Sequence, residues 1–345
     1  MLIFHNPSQQ QHVGRQEMFR GRLVPSVETP ARMTQVRRAL EERAIGDLRT
    51  PSPIDLALVQ RVHAPRYLDF LASAWHEWIS LDEANHDVDI LPSVWTAHGL
   101  RRDVSPIEFS ARVGQFASDA GSPISSGTWQ AALEGAACAI DAARAVVAGD
   151  RAAMSLTRPP GHHAGADCYG GYCFLNNAAI AAQTLRDAGA ARVAIVDVDY
   201  HHGNGTQSIF YERSDVFTVS IHGDPTTEYP FYLGYADETG RGAGEGFNLN
   251  LPLGRGTDFA HWRLALDRAL RAVERVGAEA LVVPLGVDTY EHDPISRFRL
   301  TSDDFRAMGA MLARVALPTV ITFEGGYAVE QLGVNVANVL EGFLA

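Results

Sequence analysis

Residues 192–203 read RVAIVDVDYHHG. The apolar, β-branched opening and the polar close predict a buried strand over 192–200. In a strand, residues two apart share a face, so Asp197, Asp199 and His201 would point one way and Val196, Val198 and Tyr200 the other. Two carboxylates and an imidazole gathered at a strand's end are costly to desolvate unless a cation compensates them. Such oxygen and nitrogen donors suit a divalent transition metal, Zn²⁺ or Fe²⁺. The alternative is a hydrogen-bonded strand end that binds no metal.

Working outward, strand and helix patterns alternate. Helices are predicted over 129–148, ended by Gly149–Asp150, and over 175–188, stopped by Gly189. Further helices fall over 258–276, 301–314 and 328–343, and strands over 152–159, 216–222, 280–285 and 318–323. GRGAGEG at 240–246 superficially resembles a dinucleotide fingerprint, but it leads into the extended FNLNLPLG instead of opening a helix, so it reads as a turn-rich loop. The alternation argues for an α/β fold, a single domain whose mostly parallel central sheet is flanked by helices on both faces. The segment 76–126 departs from this pattern. It carries Asp82, Glu83, Asp87, Asp89, Trp78 and Trp95 with several Pro and Gly, and reads as an ordered insertion serving as a lid or an oligomer contact.

The strand at 280–285 runs into Val287–Asp288, and that at 318–323 into Glu324–Gly325–Gly326–Tyr327. In open parallel sheets, sites form at the carboxyl ends of the strands. Asp199, His201, Asp288 and Tyr327 would then meet at one edge, and three protein ligands with an open fourth position is the arrangement of a catalytic zinc. A loop after another strand, Arg158-Pro-Pro-Gly-His162-His163-Ala164, brings two imidazoles. Beside a metal-held water, a histidine is a natural general base, and a carboxylate such as Asp197 would tune it.

The 345 residues are 46% hydrophobic, enough for a sizeable core, and the 29 basic against 41 acidic residues leave a net charge of −12. So acidic a chain makes a poor general binder of nucleic acid and favours cationic ligands. Cys138, Cys168 and Cys173 form no CxxC pair, which fits a reducing compartment; with neither a secretory leader nor a membrane-length apolar run, a soluble cytoplasmic protein is expected.

PPGHHA (159–164), GYCFLNN (171–177), DVDYHHGNGTQ (197–207), GVDTYEHDP (286–294) and EGGY (324–327) together resemble the histone deacetylase-like amidohydrolases of arginase–deacetylase fold. NNAAIAA, SIHGDP and the insertion before GTW look most like the acetylpolyamine amidohydrolase branch. The resemblance implies Asp199, His201 and Asp288 as zinc ligands and His163 as general base, then acid. It implies that His162 holds the water with Asp197 behind it, and that Tyr327 donates to the oxyanion. It further implies a structural potassium ion held by Asp197, Asp199, His201, Ser220 and Ile221, and a second monovalent site at Phe210, Arg213 and Val216. Asn204 stands where some members have a second Asp, so His163 should be less basic than with Asp.

Gly171 and Tyr172 would line a tunnel gripping the substrate's alkyl chain, with Tyr229 on the opposite wall and His292 near the rim. Cys173 would sit beside it. Glu108 and Asp119 would bind a distal ammonium or stand as solvated surface carboxylates. The expected activity is zinc-dependent hydrolysis of acetylated small amines such as acetylputrescine or acetylcadaverine, with the insertion narrowing the entrance across a homodimer interface. Protein acetyl-lysine deacetylation and a non-catalytic metal-binding regulator are the alternatives.

Overall fold

Val193–Asp197 is buried on both faces, as its lack of a polar face demands. Val193 and Ile195 pack into one apolar cluster, Ala194 and Val196 into another on the far side of the sheet. That alternation builds three layers from one strand outward. The computed structural model describes residues 1–97, 99–101 and 103–345.

The strands are β1 (Leu2–His5), β2 (Gln16–Phe19), β3 (Arg22–Pro25), β4 (Asp47–Arg49), β5 (Ala152–Leu156), β6 (Val193–Asp197), β7 (Val216–Gly223), β8 (Asn248–Leu253), β9 (Ala280–Leu285) and β10 (Thr319–Phe323). The helices are α1 (Ala31–Glu42), α2 (Leu56–Val59), α3 (Pro65–Leu81), α4 (Phe109–Phe116), α5 (Thr128–Val147), α6 (Asn177–Asp187), α7 (Asn204–Phe210), α8 (Phe259–Val276), α9 (Ser302–Ala313) and α10 (Val329–Leu344). Eight strands form one sheet in the order β4-β1-β5-β10-β9-β6-β7-β8, every pair parallel, while β2 and β3 make a separate antiparallel hairpin. Apolar side chains of α1, α8, α9 and α10 cover one face; those of α3, α4, α5 and α6 cover the other. β5 and β6 follow each other in sequence yet lie apart, with β10 and β9 between them. The chain therefore switches direction across the sheet, and a crevice opens where the loops after these strands diverge.

Two expectations shift. The strand expected over 192–200 ends at Asp197. The Asp197 carboxylate accepts from the Asp199 amide (3.1 Å) and the Asp199 carboxylate from the His201 amide (2.8 Å), so two aspartate turns in succession bend the chain out of the sheet. Val198 and Tyr200 still bury in the core. The insertion expected over 76–126 begins inside α3, whose apolar face (Tyr67, Leu68, Phe70, Leu71, Ala74) sets the helical period. Beyond it the segment is tied down. Trp78 stacks on Phe109 and donates to the Val88 carbonyl, Ile90 bridges Ile124, and the Tyr169 amide donates to Phe116. The edge strand β4 and its neighbour β1 escaped the sequence reading, because three or four residues carry too little periodicity to register.

Gly309 of α9 faces α10 so closely that a Cβ would stand 1.9 Å from the Val339 carbonyl oxygen. Gly309→Ala is expected to cost about 1–3 kcal/mol by forcing the two helices apart. Urea unfolding followed by circular dichroism measures it.

Candidate active site

Four loops at the carboxyl edge of the sheet, after β5, β6, β9 and β10, deliver the polar residues. Asp199 and His201 come from the turn after β6, Asp288 from the loop after β9. His201 Nδ1 lies 3.0 Å from Asp288 Oδ2 and 3.3 Å from Asp199 Oδ1. All three residues are buried. Asp199 Oδ2 accepts from the Gly325 amide and Asp288 Oδ1 from the Tyr200 amide, both at 2.8 Å. Backbone amides thus fix both carboxylates, and Asp199 Oδ1 and Asp288 Oδ2 are turned toward the imidazole. Ligand atoms around a tetrahedral ion with bonds of about 2.0 Å stand roughly 3.3 Å apart, so this donor set fits a divalent metal. Glycine is needed at two flanking positions, since a Cβ at Gly286 or Gly325 would come within 2.0 and 2.5 Å of the Asp199 carboxylate.

His162 and His163 stand beside the triad, their rings 4.0 Å apart. His162 Nδ1 donates to Asp197 Oδ2 at 2.9 Å, and His163 Nδ1 to Asn204 Oδ1 at 2.6 Å. Both partners accept, so Nδ1 carries a proton in each ring, and in neutral His163 Nε2 is left free. Burial alone would lower both His162 and His201, yet the surrounding aspartates hold each up to about 10. His163 goes the other way. Burial first, then its neighbours His162 and His201, push it well below the ordinary value of 6.5, and Asn204 brings no charge to oppose them. The Tyr327 amide donates to Asp293 Oδ2 at 2.7 Å, and burial pushes its hydroxyl well above 10.

A cavity of about 460 Å³ opens over these groups, with His162, His163, His201, Gly171, Tyr172, Tyr229, Asp119 and Tyr327 in its wall. Tyr172 faces Tyr327 with ring centroids 5.6 Å apart, and Tyr229 meets His163 edge-on at 5.0 Å. Asp119 is no solvated surface acid. Its carboxylate accepts from the Tyr229 hydroxyl (2.6 Å) and the Gly171 and Gly121 amides, tying the two walls together. Glu108 and His292 are outside this wall. Glu108 is exposed and caps α4 by accepting from the Ala111 amide, and His292 is exposed beside Tyr290. Cys173 is buried behind the wall, its thiol directed at the Gly171 carbonyl. The residues expected to hold monovalent ions fall in two places. Asp197, at the end of β6, pairs in register with Ser220 of β7, next to Ile221, whereas Phe210, Arg213 and Val216 lie toward the start of β7, where the Arg213 guanidinium covers the Phe210 ring.

Several supporting residues were given no role by the sequence. Glu324 accepts from the amides of Gly161 (2.6 Å) and His162 (3.1 Å), which locks the His162–His163 loop, and burial pushes its carboxyl up to about 7. It lies near His162 and Cys173, but the Glu324 carboxylate is taken by these amides and by the Thr322 hydroxyl, so that group is poorly suited to a metal. Arg32 donates to the carbonyls of Gly326 (2.7 Å) and Glu324 (2.5 Å) and lies 4.7 Å over the Tyr327 ring. Glu28 neutralises it at 2.7 Å and also pairs with Arg158. Glu28 and Arg32 look in sequence like any solvated i,i+4 pair. Glu17, from β2, lines the cavity and accepts from the Tyr172 hydroxyl at 2.9 Å.

A family model for the histone deacetylase domain matches residues 26–343. Acetylpolyamine amidohydrolase 2 of Pseudomonas aeruginosa is 47% identical over 343 residues, covering 99% of this chain and 98% of that one. The acetylpolyamine amidohydrolase of Mycoplana ramosa is 48% identical over 328 residues, 94% of each chain. The crystal structure of an acetylpolyamine aminohydrolase from Burkholderia pseudomallei superposes with a TM-score of 0.94 at 39% identity, covering 100% of this chain and 99% of that one. With the model spanning nearly the whole chain and relatives near half identical end to end, the chain belongs to the histone deacetylase domain family and, with it, to the metal-dependent hydrolases.

Proposed function

We propose that the chain hydrolyses the acetamide of acetylated diamines and polyamines, releasing acetate and the free amine. One observation carries this reading: the Asp199–His201–Asp288 set, the His163–Asn204 pair and Tyr327 all converge on one cavity, which also contains the carboxylates of Glu17 and Asp119. The names of the relatives point to the same substrate class. Asp199, His201 and Asp288 would hold Zn²⁺, with Fe²⁺ as the other ion of matching donor preference. Bound there, a divalent ion supplies Lewis acidity to the acetyl carbonyl and to the attacking water.

The chain's own groups do the rest. His163 Nε2, free because Asn204 holds the other nitrogen, takes the water's proton and returns it to the departing amine. His162, anchored on Asp197, orients the water. The Tyr327 hydroxyl, kept protonated by burial, donates to the oxygen on which charge develops. Tyr172 and Tyr229 flank the alkyl chain. Glu17 and Asp119 supply negative potential for its ammonium. Asp197, Asp199, His201, Ser220 and Ile221 would hold a potassium ion beneath the metal, and Phe210, Arg213 and Val216 a second one.

The insertion exposes Val94, Trp95, Leu100 and Ile107. Apolar side chains so placed suit contact with a second copy in a homodimer. Glu108, beside Ile107 and outside its own cavity wall, would then serve a neighbour's entrance. The chain is acidic, and among the described residues no helix is long and apolar enough to cross a membrane. We read its setting as the cytoplasm, with no role in nucleic-acid binding.

A panel of acetylputrescine, acetylcadaverine, acetylspermidine and acetyl-lysine peptides tests the substrate class by kcat/KM. The free acetylated amines are expected to lead, and faster cleavage of peptides overturns the reading. Tyr327→Phe removes one oxyanion donor and should lower kcat roughly 10²–10³-fold while leaving the fold intact by circular dichroism. Chelation of the metal should abolish hydrolysis, with Zn²⁺ restoring it in the wild type but not in Asp288→Ala; metal content by mass spectrometry reads the outcome.

A further inference from the structure

The cavity wall changes sign with depth. Its inner part holds Glu17 and Asp119, which make hydrogen bonds but no ion pair with an arginine among the described residues. Glu17 accepts from the Tyr172 hydroxyl (2.9 Å) and the Val27 amide (3.2 Å), Asp119 from the Tyr229 hydroxyl and three further donors. A third acid of the wall, Glu228, is already neutralised by Arg255 at 2.5 Å. The outer part holds Arg20 and Arg297, both exposed. Among the described residues neither pairs with a carboxylate. The Arg20 guanidinium lies 5.1 Å from the Phe19 ring centroid, and Arg297 donates to the Ser296 carbonyl at 2.5 Å. Both charges stand uncompensated at the mouth.

The position of Arg20 is tightly specified. Phe19 pairs with Arg22, so Arg20 and Gly21 form a two-residue hairpin turn, with φ of 49° and 78°. Such turns ordinarily take Asn, Asp or Gly at the first position, because a longer L side chain is strained in the left-handed region. An arginine there is held at the hairpin tip against local preference. At about 3.3 Å per residue, it stands roughly 10 Å further out than Glu17 along the same strand. Arg297 reaches the same mouth from the loop after β9.

We propose that Arg20 and Arg297 form a cationic collar that selects substrates by the placement of their charge. An acetylated amine whose single ammonium stops at the depth of Glu17 and Asp119 is accepted. One whose chain continues outward to a second ammonium meets the collar and is repelled. The inference rests on the acetylated-amine reading and names, within it, the short diamines as the preferred substrates. Exposed like charges a few ångströms apart repel weakly, on the order of fivefold per pair, and salt screens the effect.

The test compares kcat/KM for acetylputrescine and acetylspermidine in the wild type, in Arg20→Gln/Arg297→Gln and in Arg20→Lys/Arg297→Lys. The acetylspermidine-to-acetylputrescine ratio should rise about five- to tenfold in the glutamine variant and stay near the wild-type value in the lysine variant. In the wild type alone, raising salt from 20 to 500 mM should raise the same ratio, a reading independent of whether the variants fold. A ratio indifferent to glutamine substitution and to salt overturns the collar, and so does a lysine variant that behaves like the glutamine one, since that marks bulk and not charge. Hydrolysis of neither compound by the wild type overturns the acetylated-amine reading itself.

Discussion

Everything at the sheet's carboxyl edge depends on keeping carboxylates in a place without water. Asp197, Asp199, Asp288 and Glu324 are all buried within one region, where each would be expelled or neutralised if left alone. Backbone amides hold them instead: the Asp199 amide donates to Asp197, those of His201 and Gly325 to Asp199, that of Tyr200 to Asp288, and those of Gly161 and His162 to Glu324. The loops curl because their amides must point inward at these oxygens. The glycines at 286 and 325 follow from the same demand, since a side chain there would occupy the space of the Asp199 carboxylate. Negative charge fixed in this way is what a divalent cation would neutralise, and what raises His162 while the more distant His163 stays a neutral base.

A second buried ionic cluster lies behind the first. Arg32 and Arg158, both fully buried, share Glu28, and Arg32 spends its remaining donors on the carbonyls that flank Gly325. The loop leading to Tyr327 has two successive glycines and would be loose by itself. The guanidinium over the Tyr327 ring and the Asp293 carboxylate on its amide remove that freedom. The tyrosine is thereby positioned before any substrate arrives, which is the condition for an oxyanion donor to contribute fully.

Much of this was legible in the chain itself. The buried strands β6, β7, β9 and β10 announce themselves because strands covered on both faces must be continuously apolar. Asp199, His201, Asp288 and Tyr327 could be placed at one edge because each directly follows such a strand. The pairing of His162 with Asp197 came only from the family resemblance, since placement alone made Asp197 a candidate partner for either histidine. The strand's early end at Asp197 could not be read, because carboxylates that bend the chain look the same in sequence as carboxylates that line a face. For a related reason the sequence leaves Asp119 open between an amine ligand and a surface acid: a lone acid in an irregular segment gives no sign that two tunnel walls will close around it.

The sequence by itself determined the layered α/β class, the edge where chemistry gathers and the residues that directly follow the strands, since these depend on local periodicity and on the polarity of parallel sheets. Only the tertiary structure decided which acids are paired and which are left for a ligand. Glu28, Glu17 and Glu228 are alike as letters, yet one balances two buried arginines, one faces an open cavity, and one is cancelled by Arg255. Charge in a protein acquires its meaning from burial and from partners far away along the chain, and neither is a local property.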